Sequence, residues 1–186
     1  MSGKVINLTL PLSKEDLAQL KAGDAVTLSG PIYTARDAGH QRLLDCLEQE
    51  GHLPFDLRGQ SIFYAGPTPA AAGRPLGAVG PTTASRMDFA APQLYRAGIM
   101  ATLGKGTRSA EVRDACKEFG CVYFVAVGGA AALLATHVTS SKVVAWDDLG
   151  TEALRCLELE AFPAFVGIDT QGCDLYQQVA DSEGGS

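Results

Sequence analysis

Apolar and polar residues alternate along KVINLTL, Lys4 to Leu10, and that period of two predicts a strand. Ser13-Lys14-Glu15-Asp16 has the spacing of a capping box and opens a short helix that stops at Gly23. AVTLSGPIY, Ala25 to Tyr33, predicts a second strand with a Gly-Pro interruption. In RDAGHQRLLDCLEQEG the apolar positions Leu43, Leu44 and Leu47 share one helical face, and Gly51 ends the helix. SIFY, Ser61 to Tyr64, is a short third strand. Gly66 to Thr82 is mostly Gly, Pro and Ala; loops this long in compact domains are functional or disordered.

Beyond it, Thr82 or Thr83 is placed to cap a helical turn holding Ser85, Arg86 and Met87. Pro92 suits the first turn of a helix, PQLYRAG, that Gly98 closes. IMATL predicts a strand, GKGTR a loop, and Ser109 to Gly120 an amphipathic helix. CVYFVAVG is a near-continuous apolar strand of the kind buried on both faces. GGAAALLATH predicts a small-residue helix, KVVAW a strand, GTEALRCLELE a helix, and FPAFVGID a strand. QGCDLY reads as a turn followed by a final short strand. Strand and helix alternate through the second half, which argues for parallel pairing, whereas the first half holds more strand and less helix. The expected fold is therefore a layered α/β domain over residues 1–186, with one parallel sheet, a second antiparallel layer and a C-terminal tail from about residue 180. No repeat with a period of about 20–50 residues is visible.

Composition narrows the function. The chain has 186 residues, 46% hydrophobic and 19% charged, which suits one globular domain with a real core. A net charge of -6 argues against gripping nucleic acid or an anionic membrane through the overall field, and leaves room for a local basic pocket. No apolar run approaches the about 20 residues of a membrane span, and MSGKVINLTLPLSKED lacks the pattern of a secretory signal, so a cytoplasmic protein is expected. The five cysteines, at 46, 116, 121, 156 and 173, are odd in number, widely spaced and without a CxxC pair. They predict packing residues rather than disulfides or a metal site built by this chain alone.

Candidate chemistry clusters in short stretches that carry cations and hydroxyls. GIMATLGKGT fails as a phosphate loop, because five residues lie between Gly98 and Gly104 instead of four and Gly106 stands where Ser or Thr would hold magnesium. What remains is Lys105 between two glycines that let backbone approach a ligand, or else a solvated hairpin lysine. In YTARDAGH, Arg36 and His40 share a face at a helix N-terminus, where Asp37 complements the dipole and an anion could bind; the plainer alternatives are capping and a satisfied structural histidine. In GPTTASRMD, hydroxyls and Arg86 together make an anion site, or Thr82 or Thr83 simply caps a helix while Arg86 pairs with Asp88 or Asp37. The glycines of VAVGGAAALLA either bind an anion or, more simply, permit close packing. No Ser-His-Asp order, GxSxG or HExxH is present, so the anion-binding groups look like half of an active site.

YTARDAGHQRLL, GPTTASRMD, LGKG, FVAVGGAAALLA and LEAFPAFVGIDTQGCDLY occur in this order, and together they resemble the β subunit, or C-terminal domain, of class I iron-sulfur fumarases and L-tartrate dehydratases. The resemblance covers nearly the whole chain; Ser85 departs from it, standing where many members have Gly. It implies a swivelling β/β/α fold and a partner α subunit whose three cysteines hold a [4Fe-4S] cluster, with one iron open to substrate. A separate α chain is expected, since this chain begins with its own Met, in a hetero-oligomer that can also homodimerise. By resemblance, Arg36, Arg86 and Lys105 hold the dicarboxylate, and Thr82 is the hydroxyl beside the reacting carbon. Asp37, His40, Thr83 and Ser85 stand behind them. The implied reaction is hydration of fumarate to (S)-malate; the alternatives are dehydration of L(+)-tartrate to oxaloacetate, or a dicarboxylate-binding module without chemistry.

Overall fold

The computed structural model describes residues 4–127 and 130–183. Five strands run parallel in chain order: β1 (Ile6–Thr9), β2 (Ala25–Thr34), β3 (Ser61–Phe63), β4 (Ala101–Gly104) and β5 (Val122–Val125). Two more are antiparallel to their neighbours: β6 (Val138–Ala145) and the 15-residue β7 (Leu154–Ile168). One edge of β7 pairs with the length of β2, from Ala25↔Phe165 to Thr34↔Arg155. Its other edge pairs first with β6 and then, through Phe165 to Ile168, with β5. The sheet therefore closes on itself through β2, β3, β4, β5 and β7, while β1 extends β2 and β6 extends β7. The content is mixed α/β with parallel and antiparallel strands in a single sheet.

The period-two alternation of the strands sorts side chains to two cores. Phe63, Leu103, Phe124 and Val166 pack with Leu17, Leu28, Leu157 and Phe162 on one face. Ile62, Tyr64, Tyr123 and Ile168 pack on the other, under α2 (Asp37–Glu50), α3 (Ala91–Arg96) and α4 (Ala110–Phe119). The helix boundaries follow the expected signals. In α1 (Lys14–Ala18) the Ser13 hydroxyl accepts from Asp16 N while the Asp16 carboxylate accepts from Ser13 N, a complete capping box. Gly51 and Gly120 end α2 and α4 in the left-handed conformation. Ser109 caps α4 through a bond from Val112 N. Gly30, at φ +110, forms the bulge in β2 where the Gly-Pro interruption was expected.

Three sequence expectations fail. GTEALRCLELE does not form a helix: residues 147–152 form a 3-10 segment and the remainder is the first half of β7. Its helix-forming composition is overridden by pairing with β2 and β6, and the Leu157-Glu158-Leu159-Glu160 alternation, buried then exposed, is the strand signal. The final strand in QGCDLY shrinks to one bridge, Asp174 to Ile168, and α6 (Leu175–Glu183) follows. The Asp174 carboxylate accepts from Tyr176 N and starts that helix, which is why the strand goes no further. The hydroxyl of Thr83, at the start of the 3-10 turn Ala84–Met87, makes no capping bond. The small-residue helix forms as α5 (Ala131–Ala135), whereas Gly128 and Gly129 of the glycine pair, and the last residues of the expected tail, lie outside the described residues.

Candidate functional site

The candidate cations Arg36 and Lys105 follow the C-terminal ends of parallel strands, β2 and β4. Arg36 and Asp37 come directly after β2, where Arg36 is the N-cap of α2. The long loop from Ala65 begins after β3. Lys105 follows β4. The GPTT segment returns to these ends: Thr82 N donates to Tyr64 O at 2.6 Å, Lys105 N donates to Thr82 O at 3.2 Å, and Ala84 N donates to Lys105 O at 2.8 Å. Thr82 thus lies between the continuations of β3 and β4, and Thr83 bridges to Lys105 in parallel fashion.

Arg86, on the 3-10 turn, forks onto Asp37: Nε to Oδ1 at 3.2 Å and Nη2 to Oδ2 at 2.8 Å. Both members of the pair are partly exposed, at 50% and 39% of their side-chain surface. Arg36 lies against Gly66, where an added Cβ would be 3.0 Å from Arg36 Cδ and 3.2 Å from Nη1. A side chain there would press on Arg36 and on Thr151 O, so the glycine favours this close approach. Gly104 is similar, since a Cβ there would be 2.8 Å from the Tyr64 ring and 3.0 Å from Ala84 Cβ. Among the described residues neither Arg36 nor Lys105 forms an ion pair, and Arg36 Nε is buried without a hydrogen-bond partner. The geometry thus brings Arg36, Asp37, Thr82, Arg86 and Lys105 to one end of the parallel strands. Thr83 and Ser85 are exposed on the same segment.

His40 stands behind this end. Its Nδ1 and its backbone N–H both donate to Arg36 O at 2.8 Å, and its ring meets the Tyr64 ring edge-on at 5.1 Å. The side chain is fully buried, and that burial pushes its pKa down to about 4, with the nearby Arg108 charge acting in the same direction. At neutral pH His40 is uncharged and holds the carbonyl of Arg36 in place.

Sequence reasoning missed Arg108 and Asp88 as a pair. Arg108 is fully buried at the side chain, and its Nε donates to Asp88 Oδ1 at 2.6 Å. Its loop context looks solvated, and no local spacing links it to Asp88, twenty residues earlier. The Arg86–Asp37 pair was one of the two alternatives read from the sequence; the Asp88 alternative is excluded because Arg108 takes it.

Among the described residues no group of three or more His, Cys, Asp or Glu side chains could hold a metal ion, so this part of the chain does not by itself fit an iron-sulfur cluster. Cys116 and Cys121 are buried in the helix-side core, and burial pushes both thiols up to about 12, which keeps them protonated. Cys46 and Cys156 are half-buried and Cys173 is exposed. No helix among the described residues is long and apolar enough to cross a membrane. A groove of about 500 Å³ between the end of α2 and the residues before β3, lined by Leu47, His52, Leu53, Phe55 and Arg58, lies at the opposite end of the strands. No candidate residue lines it; converging charge, not volume, marks the site.

The profile of the family described as Fumarase C-terminus matches residues 1–179. The chain belongs to that family. Among its relatives, the aerobic class I fumarate hydratase of Salmonella typhimurium is 37% identical over 97% of this chain and 32% of its own length. The anaerobic class I fumarate hydratase of Escherichia coli is 39% identical over 96% of this chain and 33% of its own. The L(+)-tartrate dehydratase subunit beta of Escherichia coli is 35% identical over 90% of this chain and 85% of its own length. The chain therefore spans about a third of the fumarate hydratases it matches and most of the tartrate dehydratase subunit. Both names belong to hydro-lyases.

Proposed function

We propose that this member of the fumarase C-terminus family is the β part of an iron-sulfur hydro-lyase, interconverting fumarate and (S)-malate at a site completed by an α subunit. The observation that carries this reading is the gathering of Arg36, Thr82, Arg86 and Lys105 at one end of the parallel strands. Three cations there match a dicarboxylate, and one of them, Arg86, already grips a carboxylate in the two-pronged geometry that a substrate carboxylate would use.

Dehydration of malate removes a proton from one carbon and a hydroxyl from the next. As the C–H proton leaves, the adjacent carboxylate gains negative charge, and Arg86 and Lys105 offset it. Arg36 holds the other carboxylate from the N-cap of α2. Thr82 Oγ1 stands beside the carbon that gains or loses the proton, and the surrounding cations lower the cost of its alkoxide. Asp37 orients Arg86, His40 orients Arg36 through its carbonyl, and Thr83 and Ser85 border the segment. A [4Fe-4S] cluster held by the partner would supply Lewis acidity toward the hydroxyl. The same reading makes residues 1–186 one swivelling β/β/α domain in a cytoplasmic hetero-oligomer that can also homodimerise.

A second reading is dehydration of L(+)-tartrate to oxaloacetate. It is favoured by one observation: a tartrate dehydratase β subunit and a putative one from Methanocaldococcus jannaschii are matched over most of their own length, at 85% and 89%.

The test is anaerobic co-purification of this chain with a cluster-bearing α partner, assayed with fumarate, malate and tartrate. Activity is expected only in the complex, and its substrate preference separates the two readings. Tight dicarboxylate binding by the chain alone, with no partner recoverable, would instead mark a binding module. Arg86→Ala in the complex is expected to lower kcat/KM by about 100-fold, the scale of one lost charge-assisted bond. Near-normal turnover would remove Arg86 from its assigned role.

A further inference from the structure

Arg108 is buried near the site, and its contacts lead to the segments that carry Thr82, Arg86 and Lys105. Nε binds Asp88 at 2.6 Å, Nη1 binds Thr102 Oγ1 at 3.3 Å, and Nη2 binds Tyr64 OH at 3.2 Å. The guanidinium also lies over two rings, 5.1 Å from the centre of Tyr64 and 4.8 Å from that of Tyr123. Three of these partners then hold a piece of the site. Tyr64 O accepts the N–H of Thr82 at 2.6 Å. Asp88 closes the turn that bears Arg86, through Asp88 N to Ser85 O at 3.2 Å, and its second oxygen accepts from Ser109 N at 2.7 Å. Tyr123 OH donates to Gly106 O at 2.9 Å and so pins the loop that bears Lys105.

Burying a guanidinium and a carboxylate together is weak support for stability, since an apolar group of similar volume often serves equally well. What a planar fork does supply is fixed geometry toward several partners at once, which a lysine cannot reproduce. We infer that Arg108 is a positioning residue: its fork onto Asp88, Thr102 and Tyr64, stacked on Tyr123, sets Thr82, Arg86 and Lys105 at their mutual distances. The inference rests on reading those three residues as the substrate-handling groups. Arg108 itself lies beneath the site and touches no substrate.

The test uses the full chain alone for hydrogen exchange and the α-containing complex for kinetics, with Arg108→Lys, Arg108→Met and Asp88→Asn. In the last two variants, amides of residues 82–88 and 104–108 are expected to exchange about tenfold faster or more, with β2 and β7 unchanged. In the complex, Arg108→Lys is expected to lower kcat by about 100-fold with a smaller change in KM, the cost of displacing reacting groups by about an ångström. In an Arg86→Ala background the same change is expected to cost about threefold or less, because both act through one segment. Faster exchange spread evenly over the chain, or losses that multiply in full, would reduce Arg108 to a packing residue and overturn the inference. Should Arg108→Met not fold, Tyr64→Phe removes one bond of the fork and leaves the charge paired; the same localised exchange is expected, and its absence overturns the inference. A wild-type complex inactive toward fumarate, malate and tartrate would sink the hydro-lyase reading, while the exchange measurement still decides whether Arg108 sets these segments.

Discussion

His40 shows how one residue couples the site to pH. Its neutral form is favoured in the folded chain, where the pKa falls to about 4, against about 6.5 in the unfolded chain. Between those values the unfolded state binds the extra proton, so stability is fully present above about pH 6.5 and declines as pH drops toward 4. Urea titrations across that window should show wild type losing about 3 kcal/mol more than His40→Gln; parallel curves would mean that the ring is not shielded. Asp37 opposes this shift and Arg108 reinforces it, so both must be intact in the comparison. The residue types that carry the candidate site were legible in the sequence: arginine after a strand, hydroxyls and arginine after a Gly-Pro pair, lysine between glycines. Their convergence was not, because it is made by backbone bonds from Tyr64 to Thr82 and from Lys105 to Thr82, across forty residues of chain. Arg108 left no signal at all. Its meaning is burial, and burial is a property of the folded whole.

At the level of elements, the sequence is most readable where local rules act alone. The Ser13 box, the Gly51 and Gly120 caps and the amphipathic α2 and α4 follow from neighbours in the chain. β7 is the counter-example, since pairing on both edges outweighs a helix-forming composition. The bulge in β2 is a further place where an element depends on one atom. At Gly30 a Cβ would lie 2.6 Å from Leu10 O, and φ is +110. Gly30→Ala should therefore destabilise the protein by about 2–4 kcal/mol, from strain and overlap together. Chemical denaturation checks this, and a loss under about 0.5 kcal/mol would show that the β1–β2 corner yields easily.

For the molecule as a whole, closure of the sheet means that β2, β3, β4, β5 and β7 each have partners on both edges, whereas β1 and β6 lie outside the ring. In native-state exchange the ring is expected to protect its amides longest and as a unit, with β6, α5 and α6 opening first; ring strands that exchange independently would contradict this. The same closure fixes where Asp37 and Arg86 meet, and that meeting has a bearing on selectivity. On the proposed reading, a single carboxylate arriving from water gains little from Arg86 alone, because Asp37 already holds its Nε–Nη2 edge and offsets its charge. A molecule with two acid groups gains more on that reading, because Arg36 and Lys105 are further cations for its second carboxylate. The proposed site would then discriminate against one-armed acids through the charge that Asp37 already balances.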